Sequence, residues 1–161
     1  MNVRLLTLLS CLWLLVPAML VAAEAPKLVY TAATYDPKAD PDADLAKGKA
    51  IAARENRRIL IIAGGDWCPW CRAMGKFIES NPTVAAILAR SYVVQKVTVS
   101  DEVSNTGFLN PLGPIEAYPH LFILDHDGRL LHSQDTGKLE RNGSYDEAAF
   151  AALLRQWAPR S

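Results

Sequence analysis

The feature that most constrains this chain is a pair of cysteines three positions apart, set where a buried strand gives way to a helix. Arg58 to Ala63 reads Arg-Ile-Leu-Ile-Ile-Ala. A continuous apolar run rich in β-branched residues suits a central strand covered on both faces. Gly64-Gly65-Asp66 breaks the run, and Trp67-Cys68-Pro69-Trp70-Cys71 follows. Met74, Phe77 and Ile78 then recur at helical spacing, which predicts a helix from about Pro69. Pro69 suits the first helical position, where its missing N–H costs nothing. Cys68 therefore sits at a helix N-terminus, where unpaired N–H groups and the macrodipole favour a thiolate. A free thiol titrates near 8.5, and such positions lower it to about 3.5–7.5. Cys68 is the expected nucleophile. Cys71, one turn further in, is expected to be more buried and to resolve a mixed disulfide.

Three other uses of this spacing compete. Half a zinc site would need a second ligand pair, and only His120, His126 and His132 remain, six residues apart and on separate pieces of a hairpin. Covalent haem attachment needs a histidine after the second cysteine, and position 72 is Arg. A structural disulfide here would close a tiny loop and constrain the unfolded chain little.

The compartment bears on that choice. Residues 1–23 carry a single charge, Arg4, then an apolar run from Leu5 to Val21 that closes on Val21-Ala22-Ala23. This pattern reads as a signal peptide, with an uncleaved membrane anchor as the alternative. Cleavage would remove Cys11, one of three cysteines, and leave 138 residues with 16 basic and 17 acidic side chains. Cys68 and Cys71 would then be the only cysteines, in a disulfide-permitting compartment. A balance this close to zero argues against nucleic-acid binding through a basic surface.

Residues 24–43 contain Pro26, Pro37 and Pro41 and read as an extended lead-in, with a short strand over Leu28–Thr31. The folded domain is placed at 44–161, with Asp42 or Asp44 capping a helix to about Asn56. Asn81 or Ser80 caps a further helix, Tyr92 to Val99 reads as a strand, and 101–117 as a loop. Leu121–Leu124 and Arg129–Gln134 form a hairpin around Asp125-His126-Asp127-Gly128. This turn also suggests a calcium loop, but the remaining ligands are missing. Asn142-Gly143 is another turn, and its glycosylation sequence with Ser144 is better explained by turn and cap. Ser144-Tyr145-Asp146-Glu147 reads as a capping box opening a last helix. This order predicts an α/β fold, a mixed central sheet with helices on both faces.

The buried strand, Gly-Asp-Trp-Cys-Pro-Trp-Cys opening a helix, and the later Tyr-Pro-His-Leu-Phe-Ile-Leu-Asp together resemble the thioredoxin superfamily, over roughly Asp44 to Trp157. They are similar above all to its secreted disulfide oxidoreductases. The resemblance implies that Pro119 is a cis-proline facing the cysteines, and that Tyr118 bonds substrate backbone like an added strand. Pro119 directly precedes an apolar strand, and cis bonds are nearly confined to X–Pro. Pro111 and Pro114 lack such a strand. One departure is clear. The family often buries a carboxylate six residues before the first cysteine, and here that position is Ile62. Water or another acid would have to substitute, and Asp66 reads as a loop residue.

The expected function is a periplasmic thiol–disulfide oxidoreductase with catalytic Cys68 and Cys71. Its substrates would be thiols or disulfides of proteins or small molecules, met at Trp67, Pro69, Trp70, Tyr118 and Pro119. It would need no cofactor beyond its own redox-active disulfide and no metal. Strong oxidants of the family carry His between the cysteines, whereas Pro69-Trp70 adds no charge, so an intermediate to reducing poise is expected. A reductase outside the cytoplasm needs electrons carried across the membrane, which implies a membrane thiol transporter as partner. The rival readings are a dithiol oxidase and a binding or chaperone module with a structural disulfide.

Overall fold

The computed structural model describes residues 27–160; the signal-peptide reading at 1–23 lies outside them. Their order is β1 (Val29–Ala32), α1 (Pro41–Glu55), β2 (Arg58–Gly64), α2 (Pro69–Ser80), α3 (Pro82–Ser91), β3 (Tyr92–Thr98), α4 (Thr106–Leu109), β4 (His120–Leu124), β5 (Leu130–Asp135), β6 (Glu140–Arg141), β7 (Ser144–Tyr145) and α5 (Glu147–Trp157). Five strands form one sheet in the order β1-β3-β2-β4-β5. β1, β3 and β2 run parallel, while β4 is antiparallel to β2 and to β5.

β2 lies at the centre, and its alternation explains the layers. Leu60 and Ile62 face one core with Met74, Ile78, Leu88, Phe150 and Leu154 from α2, α3 and α5. Ile59, Ile61 and Ala63 face the other with Ala52 of α1 and Leu109 of α4. Burying both faces of β2 is what its unbroken apolar run demanded. Tyr92 ties the sheet to the last helix, its hydroxyl donating to the Leu154 carbonyl at 2.6 Å. Among the described residues, no helix is long and apolar enough to cross a membrane.

The short strand expected over Leu28–Thr31 forms as β1, pairing with β3 at the sheet edge. Two local expectations need correction. Helix α1 is capped by Asp40, not Asp42 or Asp44: the Asp40 carboxylate accepts from the Asp42 and Ala43 amides at 3.0 and 3.1 Å. Pro41 then takes the first helical position, and Gly48 does not interrupt the helix. The last helix is capped by Asp146, whose carboxylate accepts from Ala149 N at 2.8 Å. Ser144 cannot cap it, because it pairs with Arg141 in the β6–β7 ladder around the Asn142-Gly143 turn. In the other turn, the Asp125 carboxylate accepts from the Asp127 and Arg129 amides and from the Arg129 guanidinium, at 2.9–3.0 Å. These bonds close the β4–β5 hairpin.

Candidate active site

β2 ends at Gly64, and the short turn after it delivers Cys68 to the start of α2. Cys68 is the helix cap. Its sulfur accepts from the Cys71 backbone N–H at 3.2 Å, so negative charge on that sulfur meets a backbone donor. The Cys68 thiol in turn donates to the Tyr118 carbonyl at 3.5 Å. Both cysteines are free thiols in this structure. Cys71 is not the more buried of the two to any useful degree, since the exposures are 4% for Cys68 and 3% for Cys71. The difference between them is chemical. Burial, and then the hydrogen bond with Cys68, pushes the Cys71 thiol up to about 12.

The Tyr118–Pro119 peptide is cis. The Thr136 hydroxyl anchors this turn by donating to the Pro119 carbonyl at 2.6 Å. Tyr118 and Trp67 meet edge to face, with ring centroids 5.8 Å apart. Trp67 is 56% exposed, and its indole N–H donates to the Val99 carbonyl at 2.6 Å. Trp67 thus forms a fixed aromatic rim. Trp70 does not share that role. It is half-buried on the opposite flank, packed on Tyr145 at 5.5 Å, with the Tyr145 hydroxyl donating to its carbonyl at 3.3 Å. Pro69 is exposed beside them. A groove of about 730 Å³ runs beside Cys68, lined by Trp67, Val99, Ser100, Asp101, Glu102 and Tyr118.

Ile62 sits in the apolar cluster that also holds Cys68, Cys71 and Tyr35, so the position read as lacking the usual carboxylate is an aliphatic wall. Asp66 is exposed, and its carbonyl is taken by the Arg72 guanidinium. The histidines are engaged elsewhere: His120 with Ser133, His126 with Asp127 and His132 with Gln134.

Sequence reasoning missed Tyr35, Gly64 and the Val99–Glu102 segment. A methyl at Gly64 would lie 2.5 Å from the Cys71 sulfur and 3.2 Å from the Tyr35 hydroxyl oxygen, so this glycine leaves the space that both groups occupy. A glycine ending a buried strand three residues before Trp67 was the available signal. An aromatic residue among the small and polar residues 33–40 was the signal for Tyr35.

Residues 40–126 match a family model described as thioredoxin-like. Among solved structures, a disulphide isomerase from Xylella fastidiosa Temecula1 is similar with a TM-score of 0.66 and 24% identity, covering 76% of this chain and 94% of that one. The oxidised C-terminal domain of DsbD from Neisseria meningitidis has a TM-score of 0.55 and 18% identity, with 77% and 98% covered. A thioredoxin from Thermus thermophilus has a TM-score of 0.54 and 21% identity, with 81% and 86% covered. No curated protein matches the sequence. The structural likenesses establish the fold, and the family match spans more than half the chain, from the cap of α1 past the cysteines and the cis-proline into the β4–β5 turn. By sequence pattern and by fold together, this chain belongs to the thioredoxin-like family.

Proposed function

We propose that this protein is a thiol–disulfide oxidoreductase that reduces disulfides of protein or small-molecule partners outside the cytoplasm. The observation that carries the reading is the asymmetry of the two thiols. Cys71 is held protonated by burial, whereas the Cys68 sulfur faces a backbone donor at the helix start. Cys68 is therefore the attacking group and Cys71 the resolving one.

In the forward direction the Cys68 thiolate attacks one sulfur of the substrate disulfide. A mixed disulfide forms, and the departing substrate sulfur takes a proton. Cys71 then loses its proton and attacks the Cys68 sulfur, which breaks the bond to substrate. The second substrate sulfur leaves as a thiol; the two substrate sulfurs together have gained two electrons and two protons, and Cys68 and Cys71, having supplied them, are left joined as a disulfide. The Trp67–Tyr118 groove beside Cys68 suits an extended segment flanking the substrate cysteine, and exposed Asp101 and Glu102 favour basic residues in that segment.

The reducing direction rests on Pro69 and Trp70, which place no charge between the cysteines to hold a thiolate. The extracytoplasmic location rests on the signal-like residues 1–23, and it implies a membrane thiol transporter as electron supplier. The reduction potential tests the direction. A value between those of protein disulfide isomerase and thioredoxin, about −180 to −270 mV, is expected. A value near about −120 mV, as in strong oxidants, would make the protein a dithiol oxidase instead.

A further inference from the structure

We propose that the Tyr35 hydroxyl is the positioning group for the resolving step, donating a hydrogen bond to the Cys71 sulfur as its thiolate forms. This rests on the exchange chemistry proposed above and supplies what Ile62 does not.

The geometry is convergent. Tyr35 lies in the loop between β1 and α1, and its side chain is buried in the same cluster as Cys71. The Cys71 sulfur and the Tyr35 hydroxyl meet over the bare face of Gly64, whose missing methyl would lie 2.5 Å from one and 3.2 Å from the other. Against the larger effect of burial, the Gly65 backbone and the Tyr35 hydroxyl both favour the ionised form of the Cys71 sulfur. The charged and titratable groups near the pair are Cys68, Tyr118 and Tyr145 around Cys71, with Asp66 and Lys96 around Tyr35. The Lys96 ammonium lies over the Tyr35 ring, 5.4 Å from its centre.

Chemistry decides which role the phenol takes. Burial, ahead of the neighbouring thiols, raises the Tyr35 hydroxyl far above its ordinary range. A phenol that stays protonated cannot take the Cys71 proton as a base. It can donate to the sulfur that loses that proton, because a charge-assisted hydrogen bond is strongest to the ionised partner. The Cys71 proton leaves to water and is returned to the departing substrate thiolate, so no net proton is held by Tyr35. The bond formed is Cys68–Cys71, and the bond broken joins Cys68 to substrate.

The test uses the full-length chain carrying Cys11→Ser, reacted in its dithiol form with dithiobis(nitrobenzoate). The first thionitrobenzoate released reports attack by Cys68, and the second reports attack by Cys71 on the mixed disulfide. Tyr35→Phe should slow the second release roughly ten- to hundredfold, the range for losing a hydrogen bond to a charged group. The pH profile of that release should move to higher pH, with the first release unchanged. A wild-type second release across the pH range overturns the inference, and so does equal slowing of both releases, which would mark a purely structural role. If Tyr35→Phe fails to fold, 3-fluorotyrosine at position 35 keeps ring and hydroxyl while making a stronger donor. It should speed the second release, and an unchanged rate overturns the inference. Absence of any second release in the wild-type protein would instead refute the exchange chemistry itself.

Discussion

Replacing Gly64 by alanine drives a methyl group into the Cys71 sulfur. The backbone at Gly64 lies outside the left-handed region, so alanine is not strained there, and the whole effect comes from space. The added carbon would start 2.5 Å from Cys71 Sγ. Ordinary van der Waals separation is at least about 3.5 Å, so the sulfur must retreat by about 1 Å. The Tyr35 hydroxyl, at 3.2 Å, blocks one direction of retreat. Overpacking of this kind costs about 1–3 kcal/mol. Alanine's smaller loss of backbone freedom returns about 0.5–1 kcal/mol. The midpoints of these ranges leave a net loss of about 1 kcal/mol, or a fall in Tm of about 2–4 °C for a chain of this size in the dithiol form. The kinetic effect is larger, because displacing a reacting atom by 1 Å costs up to about a hundredfold. Resolution of a Cys68 mixed disulfide should therefore slow by about ten- to a hundredfold, while alkylation of Cys68 keeps its rate. Gly75→Ala is the control: nothing lies within 4 Å of a methyl there, and a helical alanine should raise stability by about 0.5–1 kcal/mol. Scanning calorimetry and stopped-flow thiol release measure both effects. A Gly64→Ala protein with wild-type Tm and wild-type resolution would refute the placement of Cys71 beneath this glycine.

Other outcomes follow from single contacts. Asp40→Ala should cost about 1 kcal/mol through loss of the α1 cap, with Asp42→Ala near neutral, and chemical denaturation of the two variants separates them. Burial holds the His120 imidazole below its usual range, despite the nearby Asp135 and Glu116. Below about pH 6.5 the unfolded chain then takes up a proton that the folded chain does not. This stability, present above that pH, is lost as pH falls toward the lower folded value, so His120→Asn should flatten the acid side of a Tm-against-pH curve. An unchanged slope would contradict the assignment. Reversing Asp101 and Glu102 to Lys should lower kcat/KM for disulfides flanked by basic residues and raise it for acidic ones. Added salt should shrink the difference.

The parts of the site that were legible in the sequence are those joined by short spacing. Two residues between cysteines put Cys71 N–H on the Cys68 sulfur within one helical turn, and the break after an apolar run located that turn. The β2 run announced burial on both faces because neither face offers a polar residue between Ile59 and Gly64. The parts that were not legible are brought together by the sheet. Tyr35 follows β1 and lies 36 positions from Cys71, in the same buried cluster, and Val99 reaches Trp67 across 32 because β3 lies beside β2. The caps failed for a different reason. Asp40, Asp42 and Asp44 all offer a carboxylate at the right distance from the helical pattern, and only Pro41 at the first helical position distinguishes Asp40. Ser144 matched a capping pattern, but its backbone was already committed to a two-residue ladder with Arg141.

In the proposed chemistry, Cys68 forms, and Cys71 resolves, a covalent bond to a partner. In the Cys11→Ser background, Cys71→Ser expressed in the parent cell should accumulate mixed disulfides visible on non-reducing gels. They should collapse on addition of dithiothreitol and be absent from the Cys68→Ser protein. A Cys71→Ser protein that traps no partner, or one that traps partners equally well without Cys68, would contradict the account.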